Sequence, residues 1–138
     1  MKTVMLTVGR AKAPFAEAEA HYRKLLARHQ PVDLVEAKTS ADLIPRLPRG
    51  AWTAAIHEHG DEMDSAAWSG WLVEKRVGAR DLWLVVGGPE GLPQEVLEAA
   101  DQRISLGRQT MAHQLARVIV LEQLFRAAKI AAGERYHR

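Results

Sequence analysis

Short apolar segments alternate with segments of helical pattern along this chain, and that alternation limits its fold more than any other feature. The segment at 82–86 is the most hydrophobic, and its continuous apolar run predicts a strand whose sheet is covered on both faces. Strands that alternate with helices form parallel units, so the pattern predicts an α/β fold with a mostly parallel sheet flanked by helices. The predicted strands are 4–8, 32–37, 52–57, 82–86 and 104–106; the predicted helices are 14–28, a short one capped by Ser40 and stopped by Pro45 and Pro48, 64–78, 93–100 and 113–132.

Length and composition fit one globular domain. The chain has 138 residues, which is an ordinary size for a single domain. It contains no cysteine, which excludes disulfide scaffolds, thiolate metal sites and cysteine nucleophiles. The opening MKTVMLTVGR has too short an apolar run for a signal peptide, and no apolar stretch reaches membrane-spanning length. We therefore expect one domain over 1–138, located in the cytoplasm and with no membrane partner.

Charge is distributed unevenly, although the net charge is only +2. From Arg103 to Arg138 there are seven Lys and Arg against two Glu, a local net charge of +5, which leaves −3 for the rest of the chain. A basic C-terminal third favours a polyanionic partner such as RNA. The same charges also fit the solvated face of a helix, and charge alone favours that simpler interpretation.

The glycine-rich run GGPEG at 87–91 directly follows the most hydrophobic predicted strand. Ligands of open α/β sheets bind beyond the carboxyl ends of strands, and glycines let backbone atoms approach a ligand closely. The run matches neither the dinucleotide-binding fingerprint nor a phosphate-binding loop. A plain strand-to-helix turn explains the spacing equally well. For a ligand site, Gly87→Val is expected to block the ligand and leave the fold largely intact.

Three other places have residue types suited to chemistry. The loop at 107–112 precedes a helix whose free N–H groups favour anions, although Thr110 or His113 as a simple helix cap explains it more economically. The terminal RYHR at 135–138 has an aromatic residue among cations, a combination that can stack on a base and hold phosphates. The alternative is that these residues are an ordinary chain terminus without a function. His57 and His59 lack a third ligand at suitable spacing, so no metal site is predicted.

The last predicted helix, at 113–132, is apolar over more than one face. A single core contacts only one side of a helix, so the remaining apolar surface predicts contact with a second subunit. The apolar residues are Leu115, Val118, Ile119, Leu121, Leu124 and Phe125.

Four motifs in this order resemble those of one family. VVGGPEGL at 85–92, ISL at 104–106, TMAHQLARVIVLEQLFRAAKI at 110–130 and the terminal RYHR are similar to the ribosomal RNA large subunit methyltransferase H family. The likeness spans nearly the whole chain and is most specific from residue 82 onward. That family belongs to the SPOUT superfamily, whose folds tie a C-terminal trefoil knot. The resemblance therefore implies a knot at about 82–132 and a tail at 133–138.

The resemblance also implies an activity and its residues. It implies a homodimer that binds S-adenosylmethionine in the knot and methylates N3 of a pseudouridine in large-subunit (23S) ribosomal RNA, within the ribosome. By position, the residues that match the family's cofactor site are Ile56, Gly87, Leu106, Gly107, Arg108, Gln109, Thr110 and Met111. Those that match the family's substrate site are His113, Tyr136, His137 and Arg138, with the tail reaching across the dimer interface.

The chemistry of methyl transfer limits what these residues need to do. Transfer from a sulfonium depends on in-line placement, with the acceptor about 3–3.5 Å from the methyl group. The acceptor N3–H must also lose a proton, and a nearby cation such as Arg138 favours the resulting ring anion. His113 and His137 are the two candidates for proton acceptance, because a neutral imidazole accepts a proton near pH 7. The sequence does not choose between them.

This sequence departs from the family's pattern at two places. Met111-Ala112 precede His113 where the family often has Leu/Phe-Pro, and Gly107-Arg108 begin the loop where serine and a small or basic residue are common. Without proline, φ is free, so we expect a less rigid loop before the cofactor binds. Two other functions fit the same features: a SPOUT methyltransferase that acts on another RNA such as tRNA, or a ribosome-binding protein with a vestigial cofactor pocket.

Overall fold

In the computed structural model, which describes residues 1–136, five parallel strands form one sheet in the order β2-β1-β4-β3-β5. The strands are β1 (Thr3–Val8), β2 (Val32–Ala37), β3 (Trp52–Glu62), β4 (Leu82–Val85) and β5 (Gln102–Ser105). The helices are α1 (Phe15–Leu26), α2 (Leu43–Arg46) after a 3-10 turn (Ser40–Asp42), α3 (Ser65–Gly78), α4 (Gln94–Ala99) and α5 (His113–Ala131). The predicted α/β class with a mostly parallel sheet flanked by helices is confirmed.

Helices cover both faces of the sheet. Side chains alternate along a strand, so adjacent residues of the central strands enter different cores. Met5 and Leu84 pack in a core that also contains Leu26, Leu72 and Leu124 of α1, α3 and α5. On the other face, the second core contains Leu6 and Val85 together with Leu43 of α2 and Val96 of α4. This two-sided burial is what the continuous apolar run of β4 predicted.

β3 continues to Glu62, whereas the sequence pattern predicted that it would end at His57. It pairs with β5 through Ile56 and again through Asp61, so the residues at 57–60 bulge out of the ladder. A Cβ on Gly60 would lie 2.5 Å from the carbonyl carbon of Arg103, so the close approach of the two strands requires glycine there. The bulge lies beside the carboxyl edge of the sheet, where bulges commonly redirect side chains at binding sites.

The start of α3 is confirmed, and that of the short helix before β3 is corrected. Asp64 caps α3, because its Oδ1 accepts a hydrogen bond of 2.8 Å from the Ala67 amide. Ser40 was predicted to cap the short helix, but Thr39 occupies the cap position, in a capping box with Asp42. Pro45 does not stop α2 either. It lies in the first turn of that helix, where an amide would have no helical partner in any case.

α5 keeps part of its apolar surface in solvent. Leu121 and Leu124 are fully buried, whereas Leu115 and Ile130 are 40% and 42% exposed. The predicted excess of apolar surface is thus present in the single chain, and its contact with a second subunit stays a prediction. None of the helices within residues 1–136 is both long and apolar enough to cross a bilayer.

Candidate functional site

A cleft of about 450 Å³ opens beyond the carboxyl ends of β4 and β5, beside the bulge of β3. Three segments form its walls: residues 56–58 at the bulge of β3, a glycine loop at 86–92, and a segment at 106–111 that leads into α5. His113 and Ala116 of α5 also line it. Both its size and its position at the carboxyl edge are typical of small-molecule sites in open α/β sheets.

The glycine loop is closed by its own backbone. The Gly91 amide donates to the Gly88 carbonyl at 3.0 Å, and Gly91 has a φ of +78°. A Cβ on Gly87 would lie 2.8 Å from the Gly91 carbonyl carbon, and a Cβ on Gly88 would lie 3.1 Å from the Cβ of Val8 in β1. The loop therefore needs glycine at these positions for its own conformation.

That geometry corrects one expectation from the sequence. Gly87→Val was expected to block a ligand and leave the fold largely intact. The added side chain instead meets the backbone of Gly91 and Leu92, which cannot rotate away as a side chain can. The substitution would therefore displace the loop that forms one wall of the cleft.

The opposite wall, at 106–111, is fixed mainly where it begins. The Ser105 hydroxyl accepts from the Gly107 amide at 3.0 Å and lies 3.0 Å from the Glu58 carbonyl, to which it can donate. Gly107 has a φ of +129°, which L residues rarely adopt. The three residues at 108–110 are exposed. Ser105 was missed in the sequence, where the only signal was a small polar residue between an apolar strand and a glycine.

The helix-cap interpretation of Thr110 and His113 is not supported. Ala112 occupies the cap position of α5, with φ −56° and ψ 133°, and no side chain caps the helix end. His113 is instead half-buried and lines the cleft. The side chains of this loop therefore do not cap α5.

Most residues predicted for the cofactor site lie together. The cleft is lined by Ile56, Gly87, Leu106, Gly107, Gln109, Thr110 and Met111. Arg108 is the exception, because its side chain is 91% exposed and its Nε lies 3.8 Å from Glu62 Oε1, outside the lining. Cofactor binding by these residues stays a prediction.

The predicted substrate-site residues are not all brought together. His113 lines the cleft, whereas Tyr136 packs against Phe125 near the other end of α5, with ring centroids 5.2 Å apart. At about 1.5 Å per residue, Phe125 lies about 18 Å along the helix from His113. His137 and Arg138 lie outside the described residues.

The surroundings of Tyr136 keep its phenol neutral. The Arg126 guanidinium lies 4.1 Å from the ring centroid. Burial, followed by the charge of Glu122, raises the pKa of Tyr136 to about 12, and this outweighs the charge of Arg126, which lowers the pKa. The phenol therefore keeps its proton near neutral pH and cannot act as a base in this conformation.

Arg117 of α5 is almost completely buried and forms four charge-assisted hydrogen bonds. Its Nε and Nη2 donate to the two carboxylate oxygens of Glu19 in α1 at 2.7 and 2.9 Å. It also donates to Glu36 of β2 at 2.9 Å and to the Gly9 carbonyl, just beyond β1, at 2.9 Å. In the sequence, Arg117 counts only toward the charge of the basic C-terminal third.

Other cations of that third are paired as well. Arg126 donates to Glu122 at 2.5 and 3.1 Å, a pairing that raises the pKa of the guanidinium, and Lys129 contacts Glu134. Three of the cations counted along the sequence, all on α5, are therefore held by carboxylates in the folded chain. The cleft itself is not basic either: among the described residues that line it there are two glutamates, Glu58 and Glu90, and neither Lys nor Arg.

A second cavity of about 550 Å³ lies on the other side of Leu106 and Gly107, which line both spaces. Its other walls come from the segment at 62–65 and from Ile119 and Gln123 of α5. Although it is larger, it contains neither the glycine loop nor His113. Within residues 1–136, no group of three or more His, Asp or Glu side chains is arranged to hold a metal ion.

Comparison with known proteins identifies relatives over the whole chain. The family described as "Predicted SPOUT methyltransferase" matches residues 1–137. A protein of Gemmatimonas aurantiaca named ribosomal RNA large subunit methyltransferase H is 38% identical, with 100% of both chains covered. A protein of the same name from Thermotoga sp. (strain RQ2) is 31% identical, with 99% of both chains covered.

Solved structures resemble the fold at low sequence identity. A probable methylase family protein from Haemophilus influenzae Rd KW20 has a TM-score of 0.64 at 10% identity, over 99% of this chain and 70% of that one. The SpoU methyltransferase AviRb from Streptomyces viridochromogenes, solved in complex with AdoMet, has a TM-score of 0.54 at 13% identity, over 97% of this chain and 59% of that one. At such identities the likeness concerns the fold alone.

Proposed function

Because the chain belongs to the SPOUT methyltransferases, and among them to the ribosomal RNA large subunit methyltransferase H family, we propose that it methylates N3 of a pseudouridine in 23S ribosomal RNA with S-adenosylmethionine as methyl donor. The observation that carries this proposal beyond family membership is the cleft. It gathers seven of the eight residues expected at the cofactor, and His113, at one edge of the sheet.

The chemistry of the cleft suits this cofactor. Ile56, Leu106 and Met111 offer apolar surface to an adenine ring, and the neighbouring glycines expose backbone groups to its polar edge. Glu58 and Glu90 favour a ligand that carries positive charge, as a sulfonium and an amino group do. When bound, S-adenosylmethionine supplies an electrophilic methyl group.

On the protein's side, the reaction requires placement of the base and removal of its proton. His113 lines the cleft at the start of α5. Of the two histidines that could accept the N3 proton, it is the one that lies within the described residues. His137 remains the alternative, and Arg138 is assigned to stabilise the ring anion. Both belong to the tail and are proposed to act on the cleft of the partner subunit, because Tyr136 packs far from the cleft of its own chain.

The same proposal includes assembly and location. The exposed Leu115 and Ile130 on α5 support a homodimer, because such side chains are normally covered where a helix packs. We assign the whole chain, 1–138, to one domain with a trefoil knot at about 82–132 and a tail at 133–138. Its place of action would be the cytoplasm, on ribosomal RNA within the ribosome.

Two measurements test the function. Purified ribosomes from a strain lacking the modification are incubated with the enzyme and labelled S-adenosylmethionine, and the nucleosides are identified by mass spectrometry. Methylpseudouridine from the large subunit is expected. Calorimetric titration with S-adenosylhomocysteine is the companion measurement: a chain that binds no cofactor and transfers no methyl group would instead be a ribosome-binding protein. Methylation of purified tRNA but not of ribosomes would contradict the substrate.

A further inference from the structure

The loop between β1 and α1, at 9–14, lies beside the first turn of α5 and is held there by its backbone. The Lys12 amide donates to Gln114 Oε1 at 2.8 Å, and the Gln114 amide group lies 3.5 Å from the Arg10 carbonyl. Arg117 holds the Gly9 carbonyl at 2.9 Å. Gln114 directly follows His113, so this loop is next to the mouth of the cleft.

The two cations of this loop have no carboxylate partner among the described residues. Arg10 and Lys12 are exposed, and within residues 1–136 neither lies within 4.0 Å of a carboxylate oxygen. Glu19 and Glu36 line a small surface hollow together with Arg10, but both are bound by Arg117. The loop thus presents two cations that retain their capacity to bind anions.

An RNA substrate needs cations close to the cleft, but the cleft is lined by two glutamates and no Lys or Arg of the described region. The cations of the long helix do not meet this need, because Arg117, Arg126 and Lys129 are paired with carboxylates. We propose that Arg10 and Lys12 bind the phosphate backbone of the RNA strand that enters the cleft. This inference rests on the proposed RNA methyltransferase function and adds a substrate-positioning surface to it.

Fixed backbone anchors make this role physically reasonable. Phosphate contacts position a nucleic acid and carry no base specificity, so exposed cations on an anchored loop are sufficient. Each phosphate contact releases counterions and therefore makes binding depend on salt concentration. The loop would hold the strand, while the cleft would receive the base and the cofactor.

The test compares two double variants of the full-length enzyme. Arg10→Ala/Lys12→Ala removes both cations, and Arg46→Ala/Arg49→Ala makes the same change in charge at exposed positions near the amino edge of the sheet. Binding of a large-subunit RNA fragment is measured by fluorescence anisotropy over a range of salt concentrations. The first variant is expected to bind about 15- to 30-fold more weakly near 0.15 M salt, with the slope of log K against log [salt] smaller by about 1.4–1.8. The second should resemble the native enzyme.

Further readouts separate this proposal from its premise. S-adenosylhomocysteine affinity, melting temperature and kcat at saturating RNA should not change in Arg10→Ala/Lys12→Ala, while KM for RNA rises. A native salt slope in that variant, in an active enzyme, would overturn the phosphate contacts and leave the function standing. The native chain could also bind RNA through Arg10 and Lys12 but transfer no methyl group. That result would contradict the enzymatic function and support the phosphate contacts. A native chain that binds no RNA would overturn both.

Discussion

The two loops that face each other across the cleft are built in opposite ways. In the glycine loop, Gly88 is buried against Val8 and accepts a hydrogen bond from Gly91. In the segment at 106–111, the described hydrogen bonds lie at its start, through Ser105, and the residues at 108–110 are exposed. One wall is therefore complete before any ligand arrives, whereas the other has little to hold it in place.

The difference follows from what lies beneath each loop. The glycine loop continues from the central strand β4 and rests on β1, which Arg117 fixes through the Gly9 carbonyl. The segment at 106–111 continues from β5, the edge strand of the sheet, and has solvent on its outer side. We expect the rigid wall to position a ligand and the loose wall to close over it, a division common in enzymes that exclude water during reaction.

The largest expected effect concerns the support of the rigid wall. Arg117→Met leaves Glu19 buried without its partner, and breaking a buried pair from one side typically costs about 3–5 kcal/mol. Urea unfolding should report a loss of that size. Arg117→Met combined with Glu19→Leu removes both charges and should recover most of the loss. A loss below about 1 kcal/mol in the single variant would mean that the network does not support this wall.

Gly87→Val should have the next largest effect. Because the side chain meets the Gly91 and Leu92 backbone, we expect a loss of about 1–3 kcal/mol in unfolding free energy, with cofactor binding no longer measurable. Thr110→Val puts the same side chain into the exposed wall and should change stability by less than about 0.5 kcal/mol. Thermal unfolding and calorimetry measure both. Equal stability of the two variants would mean that the two walls accommodate a valine side chain equally well.

Hydrogen exchange tests the comparison without any substitution. The Gly91 amide, already bonded to Gly88, should exchange slowly in the free protein and change little when S-adenosylhomocysteine is added. The amides at 108–110 should exchange fast in the free protein and slow by about tenfold or more in the complex, since ordering by 1.4 kcal/mol corresponds to one factor of ten. Equal protection of both loops in the free protein would contradict the comparison.

How far the sequence predicts this molecule depends on the range of the interactions involved. The apolar run of β4 and the cap at Asp64 depend on neighbouring residues, and both were predicted correctly. Arg117 and its partner Glu19 are 98 residues apart in the sequence, so no local pattern indicates that Arg117 is buried. The bulge of β3 was missed for the same reason, because Gly60 is required by a backbone that arrives from β5. Most of the candidate site was predicted only through family resemblance, because the cleft joins three distant segments.

The smallest effect tests whether the loose wall limits cofactor affinity. Ala112 has a φ of −56°, within the range that proline adopts, and no described hydrogen bond uses its amide. Its carbonyl accepts from the Ala116 amide at 3.0 Å, an interaction that proline retains. Ala112→Pro should therefore stabilise the fold by about 0.4–1 kcal/mol by restricting the unfolded chain.

Proline should also restrict the loop in the folded, cofactor-free protein. If it does so by the same free energy, cofactor affinity should rise about two- to fivefold. Ala112→Gly, which loosens the position, should shift both quantities in the opposite direction. Differential scanning calorimetry and titration with S-adenosylhomocysteine measure the pair of variants. A stability gain in Ala112→Pro without any change in affinity would show that cofactor binding does not have to order the segment at 106–111. The two walls of the cleft would then be equally pre-formed, despite their different hydrogen bonding.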